Sequence, residues 1–257
     1  MIDPNAPAPV ERPPLGASRT IVRFVLIVIV LAVVAGAFAY LGGWLTPNKL
    51  TPARFADAFE QVDGVHDGFR RNHAKGMGVS GSFESNGIGA RLSKAVVFRP
   101  GRVPVIGRFS LSGGQPYAAD KPDAVRGLGL QFALPNGEFW RTAMVNLPVF
   151  PVRTPEAFYE RLLASVPDPQ TGKPDPAKMK AFVATYPESV RALEIIKKEP
   201  FSSGFYNSTF HSLNAFRFVN AEGVSVPVRW ILKPLQPDEV ASPRQATDDK
   251  NYLFLAL

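Results

Sequence analysis

The segment Val125-Arg126-Gly127-Leu128-Gly129-Leu130-Gln131-Phe132-Ala133-Leu134-Pro135-Asn136-Gly137-Glu138 decides the fold class. Leu128, Leu130 and Phe132 alternate with Gly127, Gly129 and Gln131, the period of two that puts one set of side chains on each face of a strand. The strand runs into Asn136-Gly137, a strong short-range hairpin signal, so an antiparallel partner is expected from Glu138 to Asn146. Working outward, strand-like segments at Met77–Phe83, Ala95–Phe98 and Val103–Ser110 precede it, separated by Gly, Pro and Asn. Three helices follow, opened by Thr154-Pro155, Asp175-Pro176 and Pro187, the last covering Glu188–Lys198. Strands then return at Ala215–Asn220 and Val224–Leu232 around a turn at Ala221-Glu222-Gly223. Ahead of the strands, Thr51-Pro52 starts a short helix with Phe55, Ala58, Phe59 and Val62 on one face, closed by Gly64. Strands, helices and strands again give an α+β protein whose antiparallel sheet is large enough to curl or close.

Composition narrows the function classes. The 257 residues include no Cys, so there is no disulfide framework, thiolate metal site or cysteine nucleophile. The three histidines, at 66, 73 and 211, are not spaced as a zinc site. The net charge of +7 is spread out, with no run of five like charges, so no nucleic-acid partner is expected. The Gly-rich run Ser110–Gly114 opens no helix and is not read as a phosphate loop.

Phe24–Leu45 holds 22 residues without a charge. At helical rise this spans roughly 33 Å, enough to cross a hydrocarbon core. Tyr40 and Trp44 suit an interfacial position, and Arg12, Arg19 and Arg23 favour a cytoplasmic N-terminus. The expected organisation is a Pro-rich cytoplasmic tail over residues 1–23, a transmembrane anchor over 24–45 and an exported domain over 46–257. That places a single-pass protein in the inner membrane with its domain in the periplasm. The alternative is a signal peptide cleaved near Ala39, where Ala37-Phe38-Ala39 fits a small-x-small site.

The chemistry centres on Arg70-Arg71-Asn72-His73-Ala74-Lys75-Gly76-Met77-Gly78. His73 can take and return a proton near neutrality, and the glycines after it let a flat ligand approach the backbone. Alone, the motif suits a structural histidine as well. The blocks around it, in order, carry more. His73-Ala74-Lys75-Gly76 with its Gly-rich strand to Phe83-Glu84, Val105-Ile106-Gly107-Arg108-Phe109-Ser110, Val125–Phe132, Pro148-Val149-Phe150 and Ala215–Gly223 resemble the haem catalases. The chain looks like the branch of small catalase-related peroxidases, some of them exported.

The resemblance implies a closed antiparallel barrel with helical insertions that holds haem b and acts on hydrogen peroxide or organic hydroperoxides, with an electron donor as second substrate. By the same resemblance His73 is the distal base, Ser110 accepts from it and fixes its tautomer, Arg70 and Arg108 pair with haem propionates, and Phe150 walls the pocket. The family's distal asparagine falls at Val145 by spacing from Phe150. Either a bulge returns Asn146 to that role as a catalytic residue, or the pocket lacks the amide. The family's proximal tyrosine follows an arginine by four residues. Here the residues four before the six tyrosines are Gly36, Gly113, Pro155, Phe182, Ser202 and Asp248. The proximal half is therefore expected from sequence beyond residue 257. The competing expectation is a haem-free barrel, tethered at the membrane as a ligand-binding or structural envelope module.

Overall fold

The computed structural model describes residues 16–46, 49–236 and 249–257. Most of the Pro-rich tail, with Arg12, lies outside the described residues. The chain divides into two compact units, with the boundary between Thr51 and Pro52.

In the first unit, helix α1 covers Ala17–Leu41. Twenty-five residues at helical rise make roughly 37 Å, and the helix is long and apolar enough to cross a membrane. Its bounds are shifted from the uncharged stretch 24–45. The backbone ladder does not distinguish Arg19 and Arg23 from their apolar neighbours. At the other end Gly42 and the left-handed Gly43 (φ 81°) turn the chain out of the helix.

The second unit is α+β, as expected. Helix α2 (Pro52–Asp63) ends at Gly64, whose φ is 84°. Its aromatic face packs on the later helices: Phe55 and Phe59 each lie 6.1 Å from Phe158. Strands β1 (Gly76–Ser85), β2 (Gly101–Leu111), β3 (Arg126–Ala133) and β4 (Phe139–Val145) form a continuous antiparallel meander. Helices α3 (Pro155–Ala164), α4 (Pro176–Thr185) and α5 (Glu188–Lys198) follow, the first two capped by Thr154 and Asp175 as their Thr-Pro and Asp-Pro signals imply. Strands β5 (Phe210–His211), β6 (Phe216–Val219), β7 (Ser225–Val228) and β8 (Ile231–Leu232), then helix α6 (Tyr252–Leu255), complete the described chain. The main sheet has the order β1-β2-β3-β4-β5-β8, and β6-β7 is a separate two-stranded sheet.

Two segments differ from the sequence expectation. Ala95–Phe98 is not a strand: Val96–Phe98 is a single 3-10 turn, closed by Phe98 and Arg99 amides donating to the Ala95 and Val96 carbonyls. A one-turn coil buries Val97 and sets Phe98 against Trp140 as well as a strand would, so alternation over four residues did not separate the two. Val224–Leu232 is not one strand but β7 and β8. The chain leaves β7 at Arg229-Trp230, where the Trp230 amide donates to Ser212 Oγ and its indole to Thr142 Oγ1 at 2.9 Å. Those two bonds pull β8 onto the main sheet.

The register sorts the side chains into two unlike faces. One face carries Met77, Val79 and Phe83, then Val105 and Phe109, then Leu128, Leu130 and Phe132, then Trp140 and Met144. Its near end is sealed by Phe205, Phe210 and Leu253 around Leu128 and Met144. Its far end borders a cavity of about 370 Å³ lined by both β1 (Val79, Phe83) and β8 (Ile231, Leu232). The first and last strands of the order meet one cavity, so the sheet is curled about its apolar side into a half-barrel.

The opposite face is made of three cross-strand rungs: Gly76–Ser110–Gly127–Val145, Gly78–Arg108–Gly129–Ala143, and Ser80–Ile106–Gln131–Arg141. The first two hold four glycines and an alanine, which leaves a flat backbone surface.

Candidate active site

His73 sits where the chain enters β1, over the first rung of the glycine face. Its φ of 55° is in the left-handed region, uncommon for a non-glycine residue. Such backbone costs about 1 kcal/mol or more and persists where surroundings hold it. Here Asn72 Oδ1 accepts from the His73 amide at 2.9 Å and from the Gly113 amide at 2.8 Å. The Arg108 guanidinium donates to the His73 carbonyl at 2.9 Å and to the Ala74 carbonyl at 3.0 Å. The unusual turn sets the ring against β2, with the imidazole Nδ1 3.1 Å from Ser110 Oγ.

Gly127 makes this packing possible. A Cβ there would stand 3.0 Å from both His73 Cε1 and Ser110 Oγ, so only glycine lets the imidazole lie against β3. Gly129, one rung on, has nothing within 4 Å of the same position. The space above the second rung is open.

These residues line a cavity of about 420 Å³ together with Arg70, Arg108, Val145 and Phe150. Five of the six residues singled out from sequence therefore converge: His73, Ser110, Arg70, Arg108 and Phe150. Asn146 does not. Its side-chain oxygen accepts from the Arg126 amide at 2.8 Å, its own amide donates to the Arg126 carbonyl, and it lines a separate small cavity with His211 and Glu199. No bulge intervenes, because β3 and β4 pair in unbroken register to Gly127–Val145. Val145 takes the place on the glycine face, and Asn146 serves as a backbone clamp.

Burial is the largest influence on His73 and lowers its pKa from the ordinary 6.5; the positive charges of Arg108 and Arg70 add to it. The imidazole is thus held neutral at neutral pH, able to accept a proton. Arg108 is itself lowered by burial and by Arg70, which places the two guanidinium groups in one electrostatic neighbourhood.

Four contributors had no role assigned from the sequence. Arg126 is fully buried, donating to Ser202 Oγ, Ser208 Oγ and the Gly204 and Pro122 carbonyls. It ties the start of β3, and so Gly127, to the 202–208 loop. Lys75 pairs with the buried Asp120 at 2.6 Å, and Asp120 also accepts from the Leu253 amide, locking the residues after His73 to α6. Leu213 and Asn214 close the cavity, Leu213 with φ 60°. Only Arg126 and Lys75 had a signal, as charged residues inside otherwise small or apolar runs.

The donor set can be matched against haem. The open, flat second rung, the neutral imidazole above the first, the arginine pair and the Phe150 ring fit one face and the carboxylate edge of such a group. The residues lining the cavity include no tyrosine. Among the described residues no cluster of His, Asp and Glu could hold a bare metal ion.

A family model described as catalase matches residues 52–251. The catalase-related peroxidase of Synechococcus elongatus is 42% identical over 185 residues, covering 72% of this chain and 55% of that protein. The catalase-related peroxidase of Mycolicibacterium paratuberculosis is 31% identical over 198 residues, 77% of this chain and 62% of the relative. The chain thus spans little more than half the length of the peroxidases it matches. Among solved structures, a bacterial catalase superposes with a TM-score of 0.65 at 22% identity, covering 81% of this chain and 42% of its own. A fungal catalase gives 0.64 at 23%, with 74% and 39% covered. The structural likeness is one of fold.

Proposed function

The chain belongs to the catalase family, and from that premise we propose that it is a haem b-dependent peroxidase acting on hydrogen peroxide or organic hydroperoxides in the response to oxidative stress. The observation that carries the reading is the convergence of a neutral His73, hydrogen-bonded to Ser110, with Arg70 and Arg108 around an open glycine face.

Arg70 and Arg108 would hold the propionates, since a guanidinium stays charged and grips a carboxylate in a fork. Phe150 would wall one side. When bound, haem b supplies the redox-active iron at which the O–O bond is broken. The chain's own part is proton handling. With its Nδ1–H donated to Ser110, His73 presents the Nε2 lone pair to the cavity. That atom takes a proton from one peroxide oxygen and returns it to the other as it leaves. Overall, peroxide, two electrons from the donor and two protons yield water (and alcohol from an organic hydroperoxide). Val145 offers no hydrogen bond to the bound peroxide, which favours turnover with an outside donor over disproportionation.

We also assign α1 as a membrane anchor that holds the domain on the periplasmic side. Its apolar length and the arginines before it support this. The N-terminus of the mature protein checks it: a start at Tyr40 would mean a cleaved leader instead.

Expression with haem tests the enzyme. A Soret band and peroxide-driven dye oxidation, with the oxidation lost in His73→Ala, are expected. Absence of haem uptake both by this chain and by the chain expressed with sequence beyond residue 257 refutes the reading. The absence of a tyrosine from the cavity lining favours one alternative, a haem-free membrane-tethered barrel that binds an apolar ligand, and the same haem-uptake experiment separates the two.

A further inference from the structure

The glycine face does not end at Arg108. Its third rung, Ser80–Ile106–Gln131–Arg141, lies two residues along each strand, about 7 Å further on. It floors a shallow depression of about 400 Å³ bordered by Arg70, Arg108, Gln131 and Arg141. Three arginines therefore line one open groove. Among the described residues the salt bridges are Arg71–Glu60 and Lys75–Asp120, so none of the three has a carboxylate partner. Arg141 is held in place: its Nε donates to Gln131 Oε1 at 2.6 Å, and its guanidinium lies 5.7 Å over the Phe139 ring. Its two terminal amino groups have no hydrogen-bond partner among the described residues.

Charge counting gives these groups distinct tasks. Haem b carries two propionates, and Arg70 and Arg108 suffice for them. The third guanidinium, further along the same face, remains uncompensated. We propose that Arg141, oriented by Gln131, is the anchor of a docking site for a small anionic electron donor that carries a carboxylate or enolate. A fixed planar fork with free terminal amino groups binds such an oxyanion in two hydrogen bonds. The positive groove also raises the local concentration of an anionic donor over a neutral one. The proposal rests on the peroxidase reading for the donor's role, while the anion site itself needs only the arginines.

The test uses the full chain in detergent, with ascorbate as the anionic probe and guaiacol as the neutral donor. Without haem, ascorbate binding followed by ligand-observed NMR is expected to weaken about tenfold in Arg141→Ala and further in Arg141→Glu. Arg141→Lys is expected to fall between wild type and Arg141→Ala, because it keeps the charge and loses the fork. With haem, the ratio of KM for ascorbate to KM for guaiacol is expected to rise about tenfold in Arg141→Ala. Turnover of both donors with no Arg141 dependence of binding or of that ratio overturns the docking site and leaves the peroxidase reading intact. Arg141-dependent ascorbate binding in a protein that oxidises neither donor keeps the anion site and removes the peroxidase reading.

Discussion

Replacing Gly127 by alanine probes the site at its tightest point, and Gly129→Ala, one rung away, is its control. A methyl group at 127 would stand 3.0 Å from His73 Cε1, 3.0 Å from Ser110 Oγ and 3.1 Å from His73 Nδ1. Carbon atoms pack best at about 3.5–4.0 Å, so the imidazole and the hydroxyl must each retreat by a few tenths of an ångström. Both are already bonded to each other at 3.1 Å, and the His73 backbone is pinned by Asn72 and Arg108. The imidazole cannot slide freely away. Overpacking of this kind costs about 1–3 kcal/mol, and loss of the Ser110 bond adds about 1 kcal/mol. For a unit of this size each kcal/mol lowers Tm by about 2–4 °C, so a fall on the order of 5–10 °C is expected by calorimetry. The His73 imidazole resonances should shift in the same variant. A methyl at 129 meets nothing within 4 Å and removes chain freedom from the unfolded state, so Tm should hold or rise slightly. It would still intrude on the flat surface, and haem uptake should weaken. Gly127→Ala with an unchanged Tm and unchanged imidazole resonances would refute the close-packing account of the site.

Three further outcomes are expected. The pKa of His73 is lowered by burial, then by Arg108 and Arg70, so on acidification the unfolded chain takes a proton near pH 6.5 that the native site refuses. Stability is complete above about pH 6.5 and is lost as pH falls from there towards the folded-state pKa; Tm against pH should flatten over this window in His73→Gln, leaving the share from His211, which is also lowered mainly by burial. Arg126→Ala removes four hydrogen bonds from a fully buried side chain and should lose on the order of 3 kcal/mol or more in urea unfolding. Val145→Asn places an amide on the glycine face beside the His73 rung, and in the haem-loaded protein it should raise oxygen evolution relative to dye oxidation; an unchanged ratio would remove Val145 from any role in peroxide handling.

Much of the site was legible because it is local. His73 and the glycines after it, the Arg108–Ser110 pair two residues apart on one strand face, and the Arg126-Gly127 start of β3 are readable from short blocks in order. The helix starts at Pro52, Pro155 and Pro176 were legible for the same reason, since a capping residue followed by Pro acts within one turn. What escaped depends on partners far along the chain. Whether Val145 or Asn146 faces the cavity is set by the register of β3 on β4, which a single unpaired strand does not display. The break between β7 and β8 depends on Trp230 bonding to Ser212 and Thr142, eighteen and eighty-eight residues away. Lys75 and Asp120 are forty-five residues apart, and Arg126 lies seventy-six residues or more from its partners at Ser202 and Ser208.

By itself, then, the order of residues determined the α+β class, the apolar N-terminal helix and the family to which the chain belongs, because periodicity, capping and motif spacing are short-range properties of the backbone. Tertiary structure alone decided which faces those residues occupy. The curl of the sheet about its apolar side leaves the glycine face free, and cross-strand register sets Arg108 and Arg141 on its second and third rungs, with His73 held over the first. Side chains from four strands share a surface only after those strands have paired, and it is that pairing which converts scattered arginines and one histidine into a site.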